Sequence, residues 1–83
     1  MKEQITVYYN RDRKHPEDYI VKRVLLQEGE NYSLNSYYMI NGKMKEFPSK
    51  LKMTSEQVNK YIIECMKADF FNKIEYQNIM EGI

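Results

Sequence analysis

The segment Tyr32–Lys45, YSLNSYYMINGKMK, decides how the middle of the chain folds. Its Asn41-Gly42 pair lies between two runs of residues that are suited to β-strands. Asn-Gly favours a two-residue type I′ turn, in which both central residues take a positive φ. The segment therefore predicts a β-hairpin in which Met39 faces Met44 across the two strands. A three-residue loop with a bulge is the alternative, and it would shift the register by one residue and exchange the two faces.

Two further strands are predicted before this hairpin. Polar and apolar residues alternate over residues 4–9, which is typical of a strand with one buried face. Residues 19–27 are rich in β-branched residues and apolar on both faces, which predicts a central strand that is covered on both faces. A polar loop at 10–16 separates these two strands. The strand after the Asn-Gly turn is expected to stop at Pro48, because proline cannot donate a hydrogen bond to a sheet.

An amphipathic helix is predicted at about 55–67. Thr54 and Gln57 form a capping box, in which each side chain accepts a hydrogen bond from the backbone N–H of the other residue. With about 100° of rotation per residue, the apolar residues that follow fall on one side of the helix. Lysines and glutamates fall on the opposite side. The residues predicted to face the core are Val58, Tyr61, Ile62, Cys65 and Met66.

The residues after the helix leave two alternatives. Ile74–Met80 fits either a last strand, with Ile74 and Tyr76 pointing inward, or a short helical tail. In both cases residues 1–83 are expected to form one small α+β domain. The predicted architecture is an antiparallel sheet of three or four strands, built from β-hairpins, with the helix at about 55–67 packed on one face.

The composition is that of an ordinary globular protein, with 42% hydrophobic and 30% charged residues and a net charge of +1. A charge this close to zero gives no overall field that would mark nucleic acid or a membrane as the partner. The chain has no long apolar run, and its alternating N-terminal residues do not resemble a signal peptide. A single cysteine, Cys65, excludes an intrachain disulfide and favours a reducing, cytoplasmic location. Residue types with AT-rich codons greatly outnumber those with GC-rich codons, which indicates a low-GC bacterium or its phage.

The sequence offers no convincing catalytic or metal-binding set of residues. His15 is the only histidine and has no cysteine near it, which argues against a zinc or iron site. Cys65 lies on the apolar side of the predicted helix, where a buried, unreactive thiol is the usual outcome. The carboxylates at 17–18 and 28–30 lie in or beside turns, where such groups are normally solvated. Three glycines do not make a phosphate-binding loop, so we predict no enzyme, no cofactor and no metal.

The predicted hairpin has apolar side chains on both faces, although one helix covers only one face of a sheet. The C-terminal segment, a second copy of the chain or another molecule is expected to cover the rest. We expect an interaction surface here, with aromatic anchors in its middle and basic residues at its rim. The anchors are Tyr38 and Phe47, and the rim residues are Lys43, Lys45, Arg11 and Arg13. The alternative is that the tyrosines are structural, with their rings on the sheet and their hydroxyls in water.

These observations favour a non-enzymatic binding protein that occupies a surface on a larger protein, as an inhibitor or accessory factor. The prediction rests on the balanced charge and on the lack of catalytic, metal-binding and membrane-spanning features. A homodimer would bury the same surface. The second candidate function is the binding of single-stranded nucleic acid, in which tyrosines stack on bases while neighbouring lysines contact phosphates.

Overall fold

The computed structural model of the chain describes residues 2–14 and 17–80, which form an α+β fold with one helix and one antiparallel sheet. The elements in chain order are β1 (Lys2–Tyr9), β2 (Asp18–Glu28), β3 (Asn31–Ile40), β4 (Lys43–Thr54), α1 (Ser55–Met66) and β5 (Phe71–Ile79). The strands lie in the order β4-β3-β2-β1-β5. The α+β class is confirmed, and the sheet has five strands where three or four were predicted.

The hairpin between β3 and β4 has the predicted register. Met39 pairs with Met44, and the pairing continues regularly as far as Ser36 with Phe47. The two turn residues take the left-handed conformation, with φ of 50° at Asn41 and 79° at Gly42. Both values are those that a two-residue type I′ turn needs. The Asn-Gly prediction is therefore confirmed in both turn and register.

Gly42→Ala is expected to lower the free energy of unfolding by about 1–2 kcal/mol, because a side chain disfavours the left-handed region. A Cβ at Gly42 would meet no atom within 4 Å, so the loss would come from backbone strain alone. Asn41→Gly is the matched control and should change stability by less than about 0.5 kcal/mol, since glycine accepts a positive φ. Urea unfolding of the three proteins measures both values. Equal stability of Gly42→Ala and the wild type would contradict the assigned turn.

β2 is the third of the five strands, so the predicted central position is confirmed. Its pairing with β3 shifts between Ile20 and Lys22, where Val21 is an extra residue. Side chains alternate between the two faces of a strand, and an extra residue reverses that alternation. As a result, Ile20 and Arg23 lie on the same face of the sheet, although three positions separate them.

The prediction that the fourth strand stops at Pro48 is wrong, because β4 continues to Thr54. β4 is an edge strand, and proline is tolerated at a sheet edge, where one side of the backbone has no partner strand. The pairing with β3 also shifts between Asn35–Pro48 and Ser33–Lys52, so extra β4 residues interrupt the ladder there. Pro48 therefore lies where the ladder is already irregular.

The start of α1 is the predicted capping box. The Gln57 N–H donates to Thr54 Oγ1 at 3.2 Å, and the Thr54 N–H donates to Gln57 Oε1 at 2.9 Å. Val58 and Ile62 belong to a buried cluster whose other members, all from the sheet, are Ile5, Leu25 and Tyr32. We call the sheet face that carries these three residues the helix side.

Not every residue of the predicted apolar sector is buried. Cys65 is buried, and Tyr61 packs against the core cluster. Met66 is 52% exposed, so its predicted inward position is wrong. Met66 lies at the margin of the sector and is the last residue of α1.

Of the two alternatives for the C-terminal segment, the strand is observed. β5 pairs with β1 at the edge of the sheet opposite β4. Ile74 is partly buried against the core, as predicted. Tyr76 pairs with Ile5 and so lies on the core-facing side of the sheet, as predicted, but its side chain is 61% exposed, so its predicted burial is wrong. β5 therefore extends the sheet within its plane and covers neither face.

Candidate functional site

One end of the molecule gathers the turn of the hairpin, the loop after β1 and the segment after α1. Asp18 at the start of β2 pairs with Ile40 at the end of β3. Tyr9 at the end of β1 pairs with Phe71 at the start of β5. We call this the loop end, and all six residues of the predicted surface lie towards it, in the loop after β1 or in the half of the β3–β4 hairpin nearest the turn.

The two predicted anchors contact each other. The ring centroids of Tyr38 and Phe47 are 5.5 Å apart, with the ring planes at 86°. This edge-to-face arrangement is favourable for aromatic rings. Alternation along β3 and the Ser36–Phe47 pairing place both anchors on the helix side, and not on the uncovered face from which an interaction surface was predicted. Phe47 is 47% exposed. We call these two residues the aromatic pair.

The predicted rim residues divide into two groups. Lys43 and Lys45 are exposed, and Lys45 pairs with Tyr38, so these lysines flank the aromatic pair on β4. The Arg11 guanidinium lies 5.2 Å from the centre of the Tyr19 ring. Arg11 also lines a cavity of about 610 Å³ together with the hairpin turn, so it lies beside the tip of the hairpin. Arg13 does not line that cavity; it lines another of about 300 Å³, together with Arg11, Asp69 and Phe70.

A cavity of about 390 Å³ opens on the helix side at the loop end. Arg23 of β2 lines it, and we call it the Arg23 cavity. Tyr38 also lines it, which places the cavity next to the aromatic pair. The remaining lining residues are Tyr9, Asp12, Asp18, Tyr19, Ile20, Tyr61, Glu64, Cys65, Ala68 and Phe70.

The Arg23 guanidinium is held between two tyrosines. Its carbon lies 5.9 Å from the centre of the Tyr9 ring and 5.7 Å from that of Tyr61, and Nη1 donates to the Tyr61 hydroxyl. Burial lowers the pKa of Arg23, but the surrounding tyrosine oxygens outweigh it and raise the pKa above its usual value. The guanidinium therefore keeps its charge at every pH at which the protein is folded.

The Arg23 charge has no counter-ion within residues 2–14 and 17–80, since none of the ion pairs there involves it. Its Nε is buried and lacks a hydrogen-bond partner in the same residues. A buried donor without a partner costs about 1–3 kcal/mol. The unpaired Nε of Arg23 therefore lowers the stability of the fold.

The tyrosines around Arg23 are neutral at physiological pH. Burial raises the pKa of Tyr9, and its contact with Cys65 adds to that effect. Burial also raises the pKa of Tyr61, although Arg23 opposes the change. The cavity therefore presents the neutral hydroxyls of Tyr9 and Tyr61 beside the Arg23 cation, with carboxylates among its other lining residues.

Tyr9→Phe is expected to reduce the loss of stability at alkaline pH. In the wild type the unfolded chain releases the Tyr9 proton above about pH 10, whereas the folded chain retains it, so the free energy of unfolding falls as the pH rises further. Urea unfolding at about pH 8 and about pH 10.5 measures that fall. Tyr76→Phe, a change at an exposed tyrosine, should keep the wild-type fall. An unchanged fall in Tyr9→Phe would contradict the burial of the Tyr9 hydroxyl.

The face opposite the helix side has a different composition. Three tyrosines there, one each from β1, β2 and β3, have a cation over the ring. The cation lies 5.0 to 5.2 Å from the ring centre, and the pairs are Tyr8–Lys73, Tyr19–Arg11 and Tyr37–Lys22. This arrangement stabilises the charged side chains on an open sheet.

Sequence reasoning missed Arg23, Tyr9 and Tyr61 as site residues. The available signal was Lys22-Arg23, two adjacent cations inside a strand that was predicted to be central and covered. A charge at such a position requires a specific environment, because burial of an unpaired charge is costly. Which residues supply that environment depends on the position of α1 and on the extra residue at Val21.

No other kind of site is found in residues 2–14 and 17–80. They contain no set of three histidine, cysteine or acidic side chains placed to hold a metal ion. His15, for which a metal site was predicted to be absent, lies outside the described residues. The single helix of the described part is too short and too polar to cross a membrane. No known protein family, no curated protein and no solved structure matches the chain.

Proposed function

We propose that the chain is a non-enzymatic binding protein that occupies a surface on a larger protein, as an inhibitor or accessory factor. The proposal takes α1 to be packed on the helix side through Val58 and Ile62, so that the loop end of that side is free for a partner. The cytoplasm of a low-GC bacterium or of a phage-infected cell is the proposed location. That part rests on the composition and on the single cysteine.

The observation that supports the proposal most strongly is the aromatic pair. Phe47 is 47% exposed, although its ring contacts Tyr38, and Tyr38 in turn lines the Arg23 cavity. Aromatic residues beside a pocket are the usual energetic centre of protein interfaces, and exposed charged residues surround them. Lys43 and Lys45 are such residues here. The loop end therefore resembles a protein interface both in its residue types and in the placement of the lysines around the aromatic pair.

A different protein fits this surface better than a second copy of the chain. A symmetric dimer places the same patch of each copy against itself. Lys43 and Lys45 would then approach the same lysines of the other copy, and like charges at an interface oppose association. A partner that supplies acidic groups opposite these lysines meets no such repulsion.

Site-specific cross-linking tests the proposal. A photo-reactive phenylalanine analogue is introduced in place of Phe47 and, as the matched control, in place of Leu51, which is 76% exposed on the same strand. After irradiation in nuclease-treated lysate of a low-GC bacterium, we expect one discrete heterologous protein to be cross-linked from position 47 and not from position 51. Equal labelling from both positions, or no product at all, would contradict the proposal. A product of twice the chain mass would identify a homodimer instead.

The second candidate function is the binding of single-stranded nucleic acid on the face opposite the helix side. The observation in its favour is the set of three tyrosine–cation pairs on that face, because such binders combine aromatic stacking with cations along the backbone. The cations lie over the rings, however, and would have to move before a base could stack. Protein binding is therefore the preferred proposal.

Fluorescence anisotropy with labelled single-stranded DNA and RNA distinguishes the two functions. Nucleic-acid binding would show a steep dependence on salt concentration, because phosphate contacts release counter-ions. It would also weaken in Tyr37→Ala and persist in Phe47→Ser, since these residues lie on opposite faces. Absence of binding at low salt would eliminate this candidate.

A further inference from the structure

The Arg23 cavity has the chemistry to bind an anion. Arg23 presents a guanidinium to the cavity, its Nε is buried without a partner, and no ion pair neutralises it within the described part of the chain. We propose that the Arg23 cavity binds an acidic side chain of the partner protein, one that is flanked by basic residues. The inference rests on the proposed function and specifies the chemistry of the partner.

The carboxylates of the cavity do not take the place of this anion. Asp12 accepts a hydrogen bond from the Lys14 N–H at 2.9 Å, and Asp18 accepts one from the Asn41 N–H at 3.4 Å. Glu64 accepts from Lys67 at 3.1 Å on the surface of α1. Each acid thus has a partner of its own, and the Arg23 guanidinium, which donates to the Tyr61 hydroxyl, has no carboxylate partner within the described residues.

Arginine determines the kind of anion. A guanidinium presents its N–H groups in a planar fork that matches the two oxygens of a carboxylate or of a phosphate. The three acids that line the same cavity repel any anion, and they repel a doubly charged phosphate more strongly than a singly charged carboxylate. The same acids attract cations on either side of the ligand carboxylate. An aspartate or glutamate between lysines or arginines satisfies both conditions.

The position of the cavity links it to the proposed interface. Tyr38 lines the Arg23 cavity and also contacts Phe47, so one partner segment can reach both. A cavity of about 390 Å³ is within the usual size range for a ligand pocket and accommodates one acidic side chain. The aromatic pair would then supply apolar contact area, and Arg23 would select the acidic residue.

Nuclear magnetic resonance of the full chain tests the inference, because the Nε–H signals of its three arginines report on each guanidinium separately. The probes are the capped tripeptides Lys-Glu-Lys, Lys-Gln-Lys and Ala-Glu-Ala, together with inorganic phosphate. We expect Lys-Glu-Lys to shift the Arg23 signal saturably. Lys-Gln-Lys should bind at least about tenfold more weakly, because it lacks the charge-assisted hydrogen bonds. Ala-Glu-Ala and phosphate should also bind more weakly than Lys-Glu-Lys.

Arg23→Lys keeps the positive charge but removes the fork, and it is expected to weaken Lys-Glu-Lys binding by about tenfold. Arg13→Lys, at an arginine that lines a different cavity, is the matched control and should bind as the wild type does. The inference would be overturned if Lys-Glu-Lys did not shift the Arg23 signal of the wild type, or if phosphate or Lys-Gln-Lys bound more tightly than Lys-Glu-Lys. The wild-type titration decides the matter if Arg23→Lys does not fold.

The two proposals fail in different ways. Cross-linking from position 47 with no response of Arg23 to Lys-Glu-Lys would leave the proposed function standing and remove this inference. Binding of Lys-Glu-Lys with no cross-linked protein would show a carboxylate site and contradict the protein-binding role at Phe47.

Discussion

Ile62→Asp is expected to unfold the chain at room temperature, whereas Ile63→Asp is expected to leave it folded. Ile62 is 6% exposed and belongs to the core cluster, but Ile63, the next residue of α1, is 55% exposed. A buried charge without a partner costs several kcal/mol, and the lost apolar contacts of an isoleucine add about 2–5 kcal/mol. The whole stability of a chain of this size is about 4–12 kcal/mol. The buried substitution therefore removes most or all of the stability.

Far-ultraviolet circular dichroism and the dispersion of the amide proton spectrum measure this difference. Both variants carry the same new charge on the same helix, so any effect of the charge on helix propensity is common to them. If Ile62→Asp kept a cooperative unfolding transition close to that of the wild type, α1 would not be packed on the helix side through this residue. There would then be no reason to expect the loop end to be free for a partner, and the proposed function depends on that.

Replacement of both members of the aromatic pair, Tyr38→Ser with Phe47→Ser, is expected to abolish measurable binding to the partner recovered by cross-linking. Removal of an aromatic hot-spot residue costs roughly 2–4 kcal/mol of binding free energy, or about 30- to 1,000-fold in affinity. Two such losses exceed the range of an ordinary titration. Leu51→Ser also removes a large exposed apolar side chain from β4 and should bind within about threefold of the wild type, about 0.6 kcal/mol.

Calorimetric titration of the partner with the wild type and both variants provides the comparison. Urea unfolding is measured in parallel, because loss of the Tyr38–Phe47 contact also lowers stability by about 0.5–1.5 kcal/mol. Undiminished affinity of the folded double variant would show that the partner binds elsewhere. If light scattering shows the wild type to be a dimer and the double variant a folded monomer, the surface joins two copies of the chain.

The features that sequence reasoning predicted well depend on residues close together in the chain. The register beside Asn41-Gly42 follows from the turn, and the start of α1 follows from Thr54 and Gln57, three residues apart. The extension of β4 beyond Pro48 was not predictable from nearby residues. It depends on the position of β4 at the edge of the sheet, where one side of the strand has no partner strand. The exposure of Tyr76 was not predictable either, because Ile74 lies on the same face of β5 and is partly buried.

The candidate site was predicted in part. The hairpin pattern identified the aromatic pair and its lysines, since cross-strand neighbours follow from the register. The Arg23 cavity was not identified, because its walls come from β1, β2, β3, α1 and the segments between them. The extra residue at Val21 also determines which face Arg23 occupies. In a strand that is apolar on both faces, the sequence pattern does not reveal such an extra residue.

The gathering of the hairpin tip, the loop after β1 and the end of α1 at one end of the sheet has a consequence for how this protein can evolve. The residues that hold the fold together, among them Ile5, Leu25 and Val58, lie away from the exposed side chains of that end. Under the proposed function, substitutions at the exposed Lys43 and Lys45 would therefore change what the protein recognises without altering the core residues. Such a chain can follow a changing target through many generations on an unaltered scaffold, and its descendants would share core residues but differ at the tip of the hairpin.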